Sequence, residues 1–303
     1  MKKSVFITGA TSGIGRAATV EFASHDYDVF ATYRSETDRH TLEAIANVHP
    51  IQMDVTVPAD LDRAYATVAA KVGARGLYAV LNNAGTTYSA PFEFADEQRA
   101  RQVMEVNLMA PYRITQKFIP LLVAHNRDNK VKARVVNIAS WAGLMSAPFI
   151  GFYNASKFAL IGLTESMFYD LRLLDIHTVL AIPGLTKTPL LAKTTGDLTA
   201  TLSAMPEAGR ARYQNLLDHY ANLGASSASN SMLARPEQLA RKLHRIVEKP
   251  KPRYKNYLGA DANFIDNVMT RLPWAARVAM NTRMYKLDSR TPETQALPLP
   301  ATA

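Results

Sequence analysis

Six short runs dense in Val and Ile alternate with longer helical patterns over the first two-thirds of this chain. That alternation constrains the fold more than any other feature. The runs are Ser4–Thr8, Asp28–Tyr33, Ile51–Val55, Tyr78–Asn82, Arg134–Ala139 and Thr178–Ile182. They are apolar at successive positions, as strands covered by helices on both faces are. Helical spacing is predicted at Arg16–Ser24, Ala59–Val72, Glu97–Ala124 and Tyr153–Leu174, where Phe158, Ile161, Glu165 and Phe168 share a stripe. Repeated βα units of this kind predict an α/β fold, a doubly wound parallel sheet with helices on both faces. The 303 residues are enough for one such domain with a sizeable core.

Beyond residue 188 the pattern changes. Residues 1–188 read as the core and 189–233 as a lid-like segment of the same domain, rich in Thr, Ala, Ser and Leu with no strand signal. Residues 234–290 form a basic extension and 291–303 a tail. In the extension Pro236 suits a first helical turn, and the helix runs to about Val247. Tyr254–Leu258 is a candidate last strand, and Phe264–Leu287 reads as helical with a break near Pro273. Of a net charge of +9, the extension carries most: 13 Lys and Arg between Ala234 and Arg290 against 5 Asp and Glu. A charge run like this reads first as a solvated basic face.

Composition closes several routes. With no cysteine there are no disulfides, thiolate metal sites or thiol nucleophile. Histidines such as His25, His49 and His125 lack metal-ligand spacing, so no metal site is expected. The short apolar run after Met1-Lys2-Lys3 is interrupted by glycine and reads as a strand, not a signal peptide. No apolar stretch approaches the ~20 residues of a spanning helix, and a cytoplasmic location is the default expectation.

Two local patterns carry chemistry. Thr8-Gly9-Ala10-Thr11-Ser12-Gly13-Ile14-Gly15 joins the first strand to the first helix. Such a turn lets the backbone approach a pyrophosphate, and the helix N-terminus offers unpaired N–H groups and a positive dipole end. Tyr153 and Lys157 stand one helical turn apart on one face. A free phenol titrates near ~10, too high for efficient proton transfer at neutral pH. A neighbouring ammonium favours phenolate, so a lowered Tyr153 pKa is expected. Ser140, at the end of the fifth strand, adds a hydroxyl that can donate to a developing oxyanion.

The glycine spacing, Asp54-Val55, Asn82-Asn83-Ala84-Gly85, Asn107, Ser140, Tyr153-Asn154-Ala155-Ser156-Lys157 and Pro183-Gly184 with Thr188 follow one another in a fixed order. This set, covering about Lys3 to Pro189, resembles the classical short-chain dehydrogenase/reductase family. The resemblance implies a Rossmann-type fold and an oxidoreductase interconverting a carbonyl and an alcohol, with Tyr153 as acid/base. It implies that Gly9, Thr11, Ser12, Gly13, Ile14 and Gly15 hold the cofactor phosphates, and that Asp54 and Val55 contact the adenine. Asn82, Ala84 and Gly85 would lie along the cofactor, with Asn83 stabilising the sheet. Pro183, Gly184, Thr186 and Thr188 would hold the nicotinamide carboxamide; Thr186 stands where valine is common. Lys157 would bond the nicotinamide ribose, and the Asn107 carbonyl would hold a water near Lys157; a helix kink is the other role open to Asn107.

Cofactor choice follows from charge. An NAD enzyme carries a carboxylate near the end of the second strand. Here the stretch is Thr32-Tyr33-Arg34, with no carboxylate before Glu36. A guanidinium pairs well with a 2′-phosphate, so Arg34, helped by Arg16, predicts NADP(H). Trp141, Met145, Phe149, Leu190, Leu191, Met205 and Tyr213 are candidate lining for a lipophilic small-molecule substrate of steroid, retinoid or long-chain type. The extension is similar to that of steroid- and retinol-type members through Arg253-Tyr254 and Leu272-Pro273. Its stretch Phe264–Leu287 either packs on the domain or lies on an anionic membrane. No nucleic-acid-reading motif is present. The resemblance also implies a homodimer through Glu97–Ala124 and Tyr153–Leu174. Three other readings remain: an NAD-dependent alcohol dehydrogenase, an NADPH-binding redox sensor without turnover, and an epimerase or dehydratase of the family's extended branch.

Overall fold

Alternation along each strand sends side chains to two separate cores. In the first strand, β1 (Ser4–Ile7), Val5 and Ile7 face one layer and Phe6 the other, as the two-residue period requires. The computed structural model describes residues 2–287 apart from 208, 211, 215, 217, 220, 221 and 223–232. The expected tail 291–303, residues 288–290 of the extension and part of the lid segment lie outside the described residues.

The remaining strands are β2 (Asp28–Tyr33), β3 (Val48–Gln52), β4 (Ala79–Asn82), β5 (Arg134–Ile138), β6 (His177–Ile182) and β7 (Lys255–Tyr257). All pair in parallel in the order β3-β2-β1-β4-β5-β6-β7. The register matches Ser4 with Asp28 on one side of β1 and Val5 with Ala79 on the other. The chain order reverses at β1, with β2 on one side and β4 on the other. That is the position where open α/β sheets bind ligands beyond their strand ends.

One face is covered by α1 (Gly13–Ser24) and α8 (Pro236–Glu248), through Ala18, Phe22, Leu239, Leu243 and Val247. The other is covered by α3 (Pro58–Val72), α5 (Ala110–Asp128) and α6 (Gly151–Arg172), through Leu61, Val68, Ile114, Phe118 and Leu171. The remaining helices are α2 (Glu36–Glu43), α4 (Glu97–Met104), α7 (Pro189–Ala204), α9 (Ala260–Asn267) and α10 (Trp274–Met284). None of the helices in the described residues is long and apolar enough to cross a membrane.

Three differences from the sequence reading have physical causes. The third strand is shifted to Val48–Gln52, because Val48 pairs with Val29 and the edge position of β3 tolerates Pro50. Helix α2 has Leu42 as its sole buried residue, so no apolar stripe announces it. It rests on the Ser35 hydroxyl capping the Asp38 N–H and on an Arg39–Glu43 pair at 2.7 Å. The expected continuous helix Glu97–Ala124 is interrupted by a π-helical turn at Glu105–Met109, which contains Asn107.

Phe118 shows how the second core layer is held. It is fully buried, stacked on Phe6 at 4.5 Å between ring centroids and edge-on to Tyr65 at 5.6 Å. Phe118→Ala should cost about 3–5 kcal/mol, read as a lowered denaturation midpoint in urea with an unchanged slope; a loss under about 1 kcal/mol would mean this layer repacks freely.

Candidate active site

The carboxyl ends of β1, β4, β5 and β6 open into a cleft of about 1120 Å³, large for a single small ligand. At one end lies the glycine turn. Gly9 and Gly13 sit at φ +63° and +53°, and both line the cleft with Thr11, Ser12 and Ile14. The Ser12 side chain caps none of the first N–H groups of α1, leaving them to face the cleft end. Gly15 does not line the cleft. A Cβ there would stand 2.1 Å from the Gly9 carbonyl oxygen, so Gly15 serves close packing of α1 on the turn.

The turn is tied to β4 by a compact network. The Thr8 hydroxyl accepts from the backbone N–H groups of Asn83 and Ala84, both at 3.0 Å. Asn83 Nδ2 donates to the carbonyls of Thr8 (2.9 Å) and Gly9 (3.0 Å). Asn83, Ala84 and Gly85 line the cleft. Asn82, expected along the cofactor, is instead turned into the sheet, where its Nδ2 donates to Asn137 Oδ1 at 2.8 Å and Thr115 Oγ1 at 3.1 Å. The side chains of both asparagines are thus spent on bracing the protein, Asn82 within the sheet and Asn83 between the glycine turn and β4.

Beside the turn, Thr32, Tyr33 and Arg34 from β2 line the cleft, and Arg34 is exposed. Asp54 and Val55 line it too, in the loop after β3 and not within the strand. Burial opposes ionisation of Asp54, but hydrogen bonds from Thr56 and the Arg34 charge hold its carboxyl below the usual range. Arg16 is turned elsewhere, with its guanidinium on the Thr41 carbonyl at 3.3 Å.

Across the cleft stand Ser140, Tyr153 and Lys157, all lining it, with Ser140 and Lys157 buried and Tyr153 half-buried. Ser140 caps a short 3₁₀ turn, its Oγ accepting from the Ala142 N–H at 3.2 Å, and hydrogen-bonds Tyr153. Lys157 Nζ donates to the Ile138 carbonyl at 3.0 Å and lies 5.9 Å from the Tyr153 ring centroid. Burial pulls the Lys157 ammonium down to about 8. Burial also pushes the Tyr153 phenol above its ordinary value, and the Ser140 hydrogen bond pulls it partly back. This is opposite in direction to the lowering expected from sequence: in the protein alone, desolvation outweighs the Ser140 hydrogen bond.

Asn107 does not line the cleft. Fully buried in its π-turn, its Oδ1 accepts from the Thr86 N–H, while Nδ2 donates to the Thr86 carbonyl and to Ser156 Oγ, each at 2.9 Å. Ser156 Oγ donates onward to the Tyr153 carbonyl at 2.8 Å. This is a link between the β4 loop and α6, and Ser156, which it passes through, was not singled out from sequence.

Pro183, Gly184, Thr186 and Thr188 line the cleft after β6. They are braced by Asp261 of α9, whose Oδ2 accepts from the Leu185 N–H at 2.6 Å. A Cβ on Gly184 would overlap that carboxylate. Asp261 comes from the late chain, and its position one residue into a helix was its only sequence signal.

Of the expected lining residues, Trp141, Met145, Leu190 and Leu191 do line the cleft. Phe149, Met205 and Tyr213 do not; they pack with Leu198, Leu202 and Phe94 in a separate cluster beneath the lid segment. Their places are taken by Ile265, Met269, Met280 and Met284 of the extension. The extension therefore packs partly on the domain, while Trp274 remains 73% exposed.

Residues 3–198 match the short chain dehydrogenase family. The chain belongs to that family. Its members are oxidoreductases that use a nicotinamide cofactor. An NADPH-dependent 3-dehydrocapnine reductase of Ornithobacterium rhinotracheale is 32% identical over 189 residues, 62% of this chain and 66% of that one. This match therefore spans just under two-thirds of that relative's length. Mouse retinol dehydrogenase 5 is 29% identical over 222 residues, 71% of this chain and 68% of its own length. The structure of a Burkholderia phymatum short-chain dehydrogenase in complex with NAD aligns with a TM-score of 0.71 at 25% identity, covering 92% of this chain and 95% of that one.

The lid helix α7 is fastened at its polar face. Asp197 accepts from Arg99 of α4 at 2.5 Å and from Lys193 Nζ at 2.7 Å, and Lys193 also donates to the Thr87 carbonyl at 2.7 Å. The Asp197 side chain is 11% exposed and its partner Arg99 41% exposed, so the pair is shielded from solvent on the Asp197 side. Asp197→Ala should speed hydrogen exchange of the α7 amides about tenfold, equivalent to ~1.4 kcal/mol, and leave β4 and β5 unchanged. Unchanged α7 protection would show that apolar packing alone holds the lid.

Proposed function

We propose that this protein is an NADP(H)-dependent oxidoreductase that interconverts a carbonyl and an alcohol on a lipophilic substrate, with Tyr153 as the proton-transferring group. The observation that carries this reading is the convergence of Ser140, Tyr153 and Lys157 on one wall of a cleft whose far end is the glycine turn. The residues fit a dinucleotide: a Cβ at Gly9 would meet the Ala84 Cα at 2.8 Å, and the uncapped start of α1 faces the same end. The turn residues Gly9 to Ile14 would hold the pyrophosphate, Asp54 and Val55 the adenine, and Pro183, Gly184, Thr186 and Thr188 the nicotinamide. Bound there, the cofactor supplies or accepts the hydride.

The chain's own residues do the rest. In reduction Ser140 Oγ donates to the carbonyl oxygen and steadies the negative charge that builds on it. Tyr153 Oη gives its proton to that oxygen, and Lys157 stabilises the phenolate left behind. In oxidation the phenolate takes the proton from the alcohol. Desolvation keeps the phenol protonated in the protein alone, which suits the reductive direction. Support for a lipophilic substrate comes from Trp141, Met145, Leu190, Leu191, Met280 and Met284 in the lining. Exposed Met109, Tyr112, Phe158 and Tyr169 support self-association through α5 and α6.

Tyr153→Phe should lower carbonyl reduction at least a hundredfold while NADPH still quenches or shifts the protein's fluorescence; near wild-type turnover would overturn the mechanism. The pH profile has a defined sign. Reduction needs the phenol and the ammonium protonated, and Lys157 releases its proton first, at about 8. Reduction should therefore hold steady from pH 6 to 7.5 and decline above ~8, while oxidation rises with pH. A reduction rate that climbs through pH 9 would contradict this assignment.

Cofactor preference rests on Arg34. Thr32, Tyr33 and Arg34 form the lining at the carboxyl end of β2, which carries no carboxylate to repel a 2′-phosphate. Arg34→Ala should raise KM for NADPH roughly tenfold or more and leave KM for NADH within about twofold. An unchanged ratio of the two would favour the NAD-dependent reading.

A further inference from the structure

Two histidines that the sequence scatters far apart meet where α1 ends against α8. His25 follows the last residue of α1, and His244 lies in α8; their ring centroids are 4.1 Å apart at an interplanar angle of 30°. Glu21, one turn before His25, completes the group, with its Oε1 3.8 Å from His25 Nδ1. One ligand-type atom from each of Glu21, His25 and His244 lies within 4.8 Å of the other two.

Two features distinguish this cluster from an ordinary surface pair. His244 is 8% exposed and packed edge-on to Phe22 and Tyr27, yet its Nε2 has no hydrogen-bond partner. A buried ring nitrogen without a partner is an unpaid desolvation cost unless a ligand meets it. Second, His25 Nδ1 lies 2.8 Å from the Glu21 carbonyl. With the proton on Nδ1, the ring donates to that carbonyl and keeps an unprotonated Nε2, the arrangement by which backbone groups orient metal-binding imidazoles.

The surrounding charges permit a cation. Lys3 reaches toward this side but is paired with Glu248 of α8 at 2.8 Å. Besides His25, Lys3 is the group whose charge bears on His244. Ser24 Oγ stands 3.3 Å from His25 Nδ1.

We propose that Glu21, His25 and His244 bind one divalent transition-metal ion of the zinc type, joining the end of α1 to α8. Two imidazoles and a carboxylate are a donor set that suits zinc, with a water in the fourth position. Tetrahedral coordination needs the rings to turn slightly apart and Glu21 Oε1 to close in, movements open to the half-exposed His25. Because α1 has twelve residues, the site lies roughly 18 Å from the glycine turn at its other end. The ion would therefore act on stability, by stapling the helix pair that covers one face of the sheet, and would take no part in hydride chemistry.

The test uses the full-length, tag-free protein, stripped with a chelator and titrated with zinc chloride by calorimetry. The expected result is one saturable site and, at about a hundred times Kd, a rise in Tm of roughly 5 °C. His25→Ala changes a half-exposed position and Glu21→Gln is nearly isosteric at a side chain 19% exposed, so both should fold with unchanged metal-free Tm. Each should weaken zinc at least a hundredfold and so remove most of the thermal shift at that zinc concentration. A cobalt(II) titration should give the visible absorption of a tetrahedral site in wild type and lose it in His25→Ala. Absence of saturable zinc binding to wild type would overturn the proposal. So would equal binding by the two variants, which would place the ion elsewhere.

Discussion

The Lys157 ammonium is the group around which the site is arranged. It is almost wholly removed from water, and the Ile138 carbonyl is its hydrogen-bond partner in the protein alone. A buried cation with so little compensation is expensive, and the cost appears as a titration point pulled down to about 8. That expense is tolerated because the surroundings are rigid. The carbonyl belongs to the end of a central strand, and α6 is fixed on both sides: Gly143 packs against the Lys157 backbone, and Ser156 is bonded to Asn107. A looser frame would let the lysine swing to solvent and leave Tyr153 as an ordinary buried phenol.

The same logic explains the π-turn at Glu105–Met109. A regular helix would hold Asn107 in register with its neighbours and spend no side chain on the next layer. Inserting the wider turn lets one carboxamide make three hydrogen bonds, two to Thr86 and one to Ser156. Thr86 follows the segment Asn83–Gly85 that lines the cleft, so the cofactor side and the catalytic side are set relative to each other by one buried amide. The link is positional: Asn107 itself does not reach the cleft.

What the sequence disclosed and what it hid follow from the range of the interactions involved. The strands β1, β2, β4, β5 and β6 were legible because each is apolar on both faces, and the glycine turn and the Tyr153–Lys157 pair because their spacing is local. β3 was misplaced by three residues, since its boundary is decided by pairing with β2 and by the tolerance of an edge strand for Pro50, neither visible in a short window. α2 was missed because a helix held by a cap and ion pairs has no apolar period. The turning of the Asn82 side chain into the sheet depended on strand phase, which one residue reverses. The meeting of His25 with His244, and of Asp261 with Gly184, depended on contacts between the two ends of the chain.

This division has a functional meaning. The family match ends at residue 198 and takes in the first six strands, the glycine turn and the wall that carries Ser140, Tyr153 and Lys157. Beyond Trp141, Met145, Leu190 and Leu191 within that match, the apolar lining is completed later by four residues, Ile265 and Met269 near α9 and Met280 and Met284 of α10. Three of these four are methionines, whose unbranched side chains adapt to irregular shapes more readily than β-branched ones. Hydride and proton transfer need groups fixed to a few tenths of an ångström, and these come from strand ends and a braced helix. Substrate choice needs only a wall of suitable shape and polarity, and part of this wall stands on the segment least tied to the sheet. On the function proposed above, the reacting groups lie within the family match, while part of the substrate wall comes from the extension.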